Sequence, residues 1–203
     1  MLSKSDPVLQ AAKDAFIERG YRATSMDDVA RHAGTTKRTV YNNFKSKERL
    51  LEAVVQATIA KLKATVPVLA EAAEKRELTA YARRVFEIST WKGSIGMQRL
   101  FIAEGDSIPK LAELFLTSTS DAIERPIRLW LAARGHKDGD AKVAASRWIG
   151  ELTAQARLDR LLGKTAPYPQ EPGRNELTRP DDAAVILAIE ALLKKQRPSS
   201  TKR

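Results

Sequence analysis

The side chains of this 203-residue chain that are best suited to binding chemistry lie close together in one polar segment, residues 36–47. Hydroxyl, ammonium, guanidinium, phenol and amide groups follow one another there, with few apolar residues between them. Such groups donate hydrogen bonds to phosphate oxygens, and Lys, Arg and Asn also match the acceptors that bases present in the DNA major groove. We therefore predict that this segment can contact DNA through Lys37, Arg38, Thr39, Tyr41, Asn42 and Asn43.

Two short helices joined by a tight turn are predicted to position these side chains. Apolar residues recur in the first helix at the spacing of one buried face: Met26, Val29, Ala30 and Ala33. Ser25 and Asp28 predict a capping box at its start, and Gly34 suits the left-handed residue that ends a helix. Thr36 is placed to cap the second helix, so the pattern is that of a helix-turn-helix. A surface pair of helices with a solvated basic face would show the same caps and turn.

The flanking sequence extends this motif to a three-helix head followed by a connecting helix. An amphipathic helix ends near Gly20, and a further helix begins at Ser46. Over about residues 8–52 the chain resembles the TetR family of bacterial transcriptional regulators. The resemblance is carried by Ala15-Phe16, Gly20-Tyr21, Asp28-Val29-Ala30, Ala33-Gly34, Thr36-Lys37, Thr39-Val40-Tyr41, Phe44 and Ser46-Lys47-Glu48-Leu50-Leu51.

The resemblance implies roles for the matching residues. Residues 36–39 would begin the recognition helix and meet base edges. Tyr41 and Asn43 would contact the DNA backbone, Lys47 would hold a phosphate, and Ser25 would contact a phosphate in addition to its capping role. Arg38 departs from the family, in which a small residue or proline is frequent at this position. The departure does not change the expected binding mode, but the operator sequence cannot be predicted from the family.

Charge is concentrated at the two ends of the chain. Residues 1–50 hold ten Lys/Arg against six Asp/Glu, a net charge of +4, whereas residues 51–193 hold twenty against nineteen, only +1. Residues 194–203 hold five basic residues and no acidic ones, +5. A basic head beside a nearly neutral middle favours a polyanion as the partner of the head. The tail, residues 197–203, is predicted to be basic and disordered.

Composition limits the class of protein. The hydrophobic content of 43% is enough for a sizeable core, and the absence of cysteine excludes disulfides, thiolate zinc sites and cysteine nucleophiles. No apolar window approaches the ~18 residues of a membrane span, and the N-terminus lacks a signal-like apolar region. We expect a soluble, cytoplasmic protein that contacts no membrane and needs no metal or cofactor.

The remainder reads as helical, so the fold class predicted is all-α with nine or ten helices. The DNA-binding domain is assigned to residues 1–50, with its motif at 25–44, and a larger helical domain for ligand binding and dimerisation to residues 51–196. A fifth helix is expected within residues 68–90. A seventh is expected from about Pro109 to Ala133, with a kink or break at Pro126.

The last two long helices are predicted to form a homodimer interface. The eighth is rich in small residues, and the ninth is apolar almost all round, so it must be covered on every side. Members of the family pair through a four-helix bundle of these helices, although both helices could simply be core. The predicted interface residues are Ala145, Trp148, Ile149, Leu152, Val185, Ile186, Ile189 and Leu193.

The segments Met97–Glu104 and Ile108–Leu114 resemble the C-terminal domain of the AcrR- and AefR-related branch. The resemblance implies a pocket for a small-molecule effector, whose candidate lining is Phe86, Trp91, Arg99, Phe101, Glu104, Phe115 and Trp130. Ordinary core packing is the alternative for each of these residues. The function expected is a repressor that binds a palindromic operator in double-stranded DNA as a dimer and is released by a small molecule.

Two other functions compete with this interpretation. An enzyme is disfavoured because the chain offers only His32 and His136, no glycine-rich phosphate loop and no cluster at metal-ligand spacing. A sequence-nonspecific architectural DNA-binding protein is disfavoured because the large neutral body is out of proportion to that task. Within the family, activation instead of repression stays open, since it depends on where the operator lies.

Overall fold

The computed structural model describes residues 7–169 and 182–195. Over these residues the chain forms nine α-helices, one short 3-10 helix (Gly105–Ser107) and no strand, which confirms the predicted all-α class. The helices are α1 (Pro7–Arg19), α2 (Met26–His32), α3 (Lys37–Phe44), α4 (Lys47–Thr65), α5 (Lys75–Thr90), α6 (Lys92–Glu104), α7 (Pro109–Ala132), α8 (Asp138–Leu161) and α9 (Asp182–Lys195). The basic tail lies outside the described residues.

The structure gives sharper bounds for two predicted helices. α5 lies within the predicted range of residues 68–90 and begins at Lys75, because Glu74 and Glu77 form a capping box in which the Glu77 carboxylate accepts the Glu74 N–H at 3.1 Å. α7 is not split at Pro126 but continues to Ala132. Ile127 and Trp130, which follow the proline, are buried, so tertiary packing holds the last turns in place.

The described chain divides into two compact units. The first comprises residues up to Lys63 together with Gly93–Thr119, and the second comprises Ala64–Lys92 together with residues from Ser120 onward. Neither unit is a continuous segment, because α6 and the start of α7 pack with α1 to α4. The sequence boundary at residue 50 is an assignment of function and stays a prediction, since compactness does not test it.

The core of the first unit is built from one buried stripe on each of its helices. Its members are Val8, Ala12, Ala15, Phe16, Met26, Val29, Ala30, Val40, Leu50, Leu51, Val54, Val55, Ile59, Met97, Leu100, Ile108 and Phe115. Helices α1 and α6 approach closely, since a Cβ built on Gly96 would lie 2.6 Å from Ile17 Cγ2. Only glycine therefore fits at position 96 without a shift of the neighbouring side chain.

The core of the second unit is assembled around tryptophans whose N–H groups are satisfied by the backbone. Trp130 donates to the Ala73 carbonyl at 2.9 Å, and Trp148 donates to the Ala188 carbonyl at 2.8 Å. Tyr81 stacks on Trp148 with ring centroids 6.2 Å apart, and burial raises its pKa well above the ordinary value. The bond from Trp148 to Ala188 joins α8 to α9.

Among the described residues, no helix combines the length and apolar character that crossing a membrane requires.

Candidate nucleic-acid interface

The start of α2 is fixed by the capping box that the sequence predicts. The Asp28 N–H donates to Ser25 Oγ at 3.1 Å, and the Ser25 N–H donates to Asp28 Oδ2 at 3.1 Å. The Ser25 hydroxyl also donates to Asp28 Oδ2 at 2.6 Å. This bond, the Ser25 N–H bond to the carboxylate and the nearby guanidinium groups of Arg31 and Arg19 lower the pKa of Asp28 to about 2. The Asp28 carboxylate therefore stays ionised wherever the helix is folded near neutral pH.

The turn between α2 and α3 uses the glycine for its backbone conformation. Gly34 has φ of +63°, and nothing lies within 4 Å of the position of an added Cβ, so space is not the constraint. Thr36 then caps α3, accepting the Thr39 N–H at 3.2 Å. Both predicted caps and the turn are confirmed.

Helix α3 buries one apolar residue and leaves its polar groups in solvent. Val40 is 0% exposed and holds the helix on the core of the first unit. The predicted contact residues on α3 and its cap are all exposed: Thr36, Lys37, Arg38, Thr39, Tyr41, Asn42 and Asn43. Such a helix, held by one stripe and covered with donors, can enter a major groove without losing its own packing.

The first residue of α3 is paired with a carboxylate of α2. Lys37 Nζ lies 2.9 Å from Asp27 Oδ2 and 5.7 Å from the centre of the Tyr41 ring. The Asp27 hydrogen bond and charge raise the pKa of Lys37. Asp27 was not predicted from the sequence. The contact could not be predicted from a separation of ten residues, because it forms only when the turn between α2 and α3 brings Asp27 and Lys37 together.

Lys47 holds the loop between α1 and α2. Its ammonium donates to the carbonyls of Tyr21 at 2.9 Å and Arg22 at 3.1 Å, and it lies 4.6 Å from the centre of the Tyr21 ring. Two of its three donors are thus directed to the backbone. The phosphate contact predicted for Lys47 stays a prediction.

The same loop is held from its other side by α6. Glu104 Oε1 accepts the Arg22 N–H at 3.1 Å, Glu104 Oε2 lies 3.3 Å from Arg22 Nε, and the Arg22 guanidinium also donates to Ser107 Oγ. The Glu104 side chain is only 13% exposed. Sequence reasoning offered Glu104 as an anchor for an effector, whereas here it positions the loop before α2.

Comparisons with known proteins agree with this geometry. A family model described as "Bacterial regulatory proteins, tetR family" matches residues 8–54, and one described as "AefR-like transcriptional repressor, C-terminal domain" matches residues 76–180. The second match alone covers half of the chain. The chain belongs to the TetR family. Members of this family are transcriptional regulators with a DNA-binding helix-turn-helix, so the chain is a regulator and not an enzyme.

The matches to curated relatives are short. The transcriptional repressor KstR2 of Mycolicibacterium smegmatis is 41% identical over 54 residues, which is 27% of this chain and 26% of that protein. The transcriptional activator FasR of the same species is 45% identical over 49 residues, 24% of this chain and 22% of that protein. The chain thus matches only about a quarter of the length of each relative.

Solved structures match almost the whole regulator. A TetR-family regulator from Mesorhizobium loti aligns with a TM-score of 0.74 at 26% identity, covering 93% of this chain and 94% of that one. The protein named "Flavonoid-responsive Regulator FrrA" aligns with a TM-score of 0.71 at 30% identity, covering 94% of this chain and 93% of that one. The likeness therefore extends through both compact units.

Most residues predicted to line an effector pocket pack within one of the two units of this TetR-family chain, whereas Arg99 is exposed. Phe101 and Phe115 stack with centroids 4.9 Å apart in the first unit, where Arg99 and Glu104 also lie. Phe86 and Trp130 belong to the core of the second unit, and Trp91 pairs with Tyr168 in a short bridge of that unit. No cluster of His, Cys, Asp or Glu suited to a metal ion is found among the described residues. The pocket stays a prediction.

The residues predicted for the dimer interface fall into two groups. Five of them are already buried within the single chain: Ala145, Trp148, Leu152, Val185 and Ile189. Ile149 and Leu193 are partly buried, and Ile186 is 46% exposed. Sequence reasoning missed further exposed apolar residues on or next to these helices, namely Val143, Leu158, Leu162 and Leu187. The pairing itself stays a prediction.

Proposed function

We propose that this regulator represses transcription by binding a palindromic operator as a homodimer, and that a small molecule releases it. The observation that carries the proposal is α3, a helix whose one buried residue, Val40, leaves seven neighbouring donor side chains exposed. Membership of the TetR family gives the DNA-binding function, and the finer statements on operator, assembly and effector are our inference.

The DNA contacts follow from the order of residues on α3. The first turn of a recognition helix meets base edges, so Lys37, Arg38 and Thr39 carry sequence preference. Tyr41 and Asn43 stand one turn further on and bind phosphates of the flanking backbone. Lys47 retains one donor beyond its two loop bonds, which suffices for a phosphate contact.

The dimer is supported by apolar residues that the single chain leaves in water. Ile186 and Leu187 are 46% and 66% exposed on α9, and Leu158 is exposed on α8. Neighbouring exposed side chains of this size mark an interface when they form one patch. A two-fold dimer repeats its recognition helix, and an operator read by it is a palindrome with half-sites one DNA turn apart, ~34–36 Å.

A small-molecule effector is supported by the likeness to FrrA, whose name describes a response to flavonoids. We assign an effector of that general kind, a small aromatic molecule, to this regulator. It releases DNA only through unequal affinity for the DNA-binding and released states. A shift from 99:1 to 1:99 requires a difference of about 5.5 kcal/mol. Repression is favoured because the family model that covers half of the chain describes a repressor.

The test is fluorescence anisotropy of the purified protein on the DNA upstream of its own gene and on a scrambled duplex, across a salt series. Operator reading gives a preference of ~10³ or more and a steep salt dependence. Equal binding to both duplexes would instead support an architectural protein or an operator elsewhere. Titrating a flavonoid into the specific complex then tests release, with glycerol at equal concentration as the control additive.

A further inference from the structure

Asp27 lies on α2, beside the first residue of α3, the helix that is proposed to meet DNA. Its carboxylate lies 2.9 Å from the ammonium of Lys37, the first residue of α3, and the two side chains are 51% and 60% exposed. Because the carboxylate is exposed and in hydrogen-bond contact with a proposed DNA-binding cation, a phosphate bound by that cation would lie close to it. A carboxylate at such a position repels phosphate.

The capping contacts at the start of α2 are made by Asp28 and not by Asp27. Asp28 closes the capping box with Ser25 and binds Arg31. Asp27 has Lys37 as its one partner in the described part of the chain. An exposed ion pair of this kind adds little to stability. Asp27 also lies in the first turn of α2, where a carboxylate adds at most about 1 kcal/mol through the helix dipole. Its pairing with Lys37 bears more directly on what Lys37 can bind.

We propose that Asp27 is a specificity-determining residue that withholds Lys37 from the phosphates of non-operator DNA. On such DNA the pair is neutral, so Lys37 releases no counterion and adds no affinity. On an operator, the carboxylate can instead accept a hydrogen bond from the N4 amino group of a cytosine, the base donor that suits Asp. Asp27 thus lowers the affinity for non-operator DNA, and its carboxylate is compatible with tight binding only where a cytosine is placed to donate to it. The operator half of this statement rests on the proposed function.

The decisive variant is Asp27→Asn, which keeps the shape of the side chain and removes its charge. On a scrambled duplex, the slope of log affinity against log salt should steepen by about 0.9, the value for one more phosphate contact. Affinity near 0.1 M salt should rise on the order of 5- to 10-fold. On the DNA upstream of the gene the gain should be smaller, because the neutral amide oxygen accepts the cytosine N4–H more weakly than a carboxylate does. The preference for that DNA should therefore fall by about 5-fold.

Two controls separate this role from a change in overall charge. Glu18→Gln makes the same charge change at an exposed position of α1, and its slope should stay within error of the unmutated protein. In a Lys37→Gln background, Asp27→Asn should no longer steepen the slope, because the cation that it frees is absent.

An unchanged slope in Asp27→Asn, or an equal change in the Lys37→Gln background, would overturn the proposal. An equal affinity gain on both duplexes would also overturn it, since specificity would then be unaffected. If the unmutated protein fails to distinguish the two duplexes, the proposed operator function fails, while the slopes on scrambled DNA still decide whether Asp27 restrains Lys37.

Discussion

Helices α3 and α9 bury one stripe each and expose chemically opposite faces. Val40 anchors α3 on the first unit, and the rest of that helix presents ammonium, guanidinium, amide and phenol groups to water. Val185 and Ile189 anchor α9 on the second unit, while Ile186 and Leu187 project into water. Because its buried residues already hold each helix on its unit, the exposed face can bind a partner without disturbing the core. The polar face fits a polyanion, and the apolar face fits another apolar surface.

The largest effects are expected on α9, where adjacent residues should separate folding from assembly. Ile189→Glu places a carboxylate in the core of the second unit and should unfold it, at a cost of about 4 kcal/mol or more. Ile186→Glu should leave the helicity unchanged and yield a monomer. Circular dichroism and sedimentation velocity distinguish the two results.

Val68→Glu is the control for these α9 variants, since Val68 is 96% exposed and apolar but lies on neither α8 nor α9. It should remain both folded and dimeric. A dimer that persists in Ile186→Glu would place the interface on another surface.

On the polar side of the comparison, Lys47→Ala should do more than Tyr41→Ala. Loss of two bonds to loop carbonyls should lower stability by about 1–2 kcal/mol, and loss of the phosphate contact should reduce the salt slope by about 0.9. Tyr41→Ala should weaken DNA binding about 5-fold through one lost hydrogen bond, with melting temperature and slope unchanged. Anisotropy and thermal denaturation check both. A normal melting temperature in Lys47→Ala would contradict its role in the loop.

A smaller and more local effect is expected for Glu104→Gln. The variant weakens the bonds to the Arg22 N–H and guanidinium, which should lower the local free energy of opening by about 1–2 kcal/mol. Hydrogen exchange at residues 20–24 should therefore be faster. Glu113→Gln, at an exposed site of α7, is the matched control and should leave this exchange unchanged. Equal exchange in both variants would show that Lys47 alone holds the loop.

The smallest effect is a pH dependence that begins in the capping box. The pKa of Asp28 is about 2 in the folded chain against 3.8 ordinarily, so its ionised form stabilises α2 above pH 4. This stabilisation should be lost as the pH falls from 4 to 2. Asp28→Asn should lose stability less steeply over that range than the unmutated protein, as followed by circular dichroism. Asp14→Asn, the comparison variant, should retain the steep fall.

The local parts of the site could be predicted from the sequence, because caps and turns depend on neighbouring residues. Ser25 with Asp28, Gly34 and Thr36 gave α2, the turn and α3 correctly. The contacts of Glu104 could not be predicted, since its partner Arg22 is 82 residues away and only the packing of α6 on α1 joins them.

The faces of α9 were equally out of reach. A helix that is apolar almost all round has no periodicity from which a buried stripe can be identified. The sequence therefore offered Ile186 and Ile189 as equivalent, although one is 46% exposed and the other is fully buried. The apolar character of both residues indicates that each needs a cover, but it does not tell which one packs in the core of its own chain.

The discontinuity of the first unit bears on the construction of hybrid regulators. A head exchanged at residue 50 would leave behind Met97, Leu100 and Phe115, which cover its core, and the Gly96 that admits Ile17. The graft would expose apolar surface and meet a foreign residue at the closest point between α1 and α6. A transplant that carries residues 93–119 along with residues 1–63 keeps these fitted surfaces together, so hybrids are better built by exchanging the second unit as a whole.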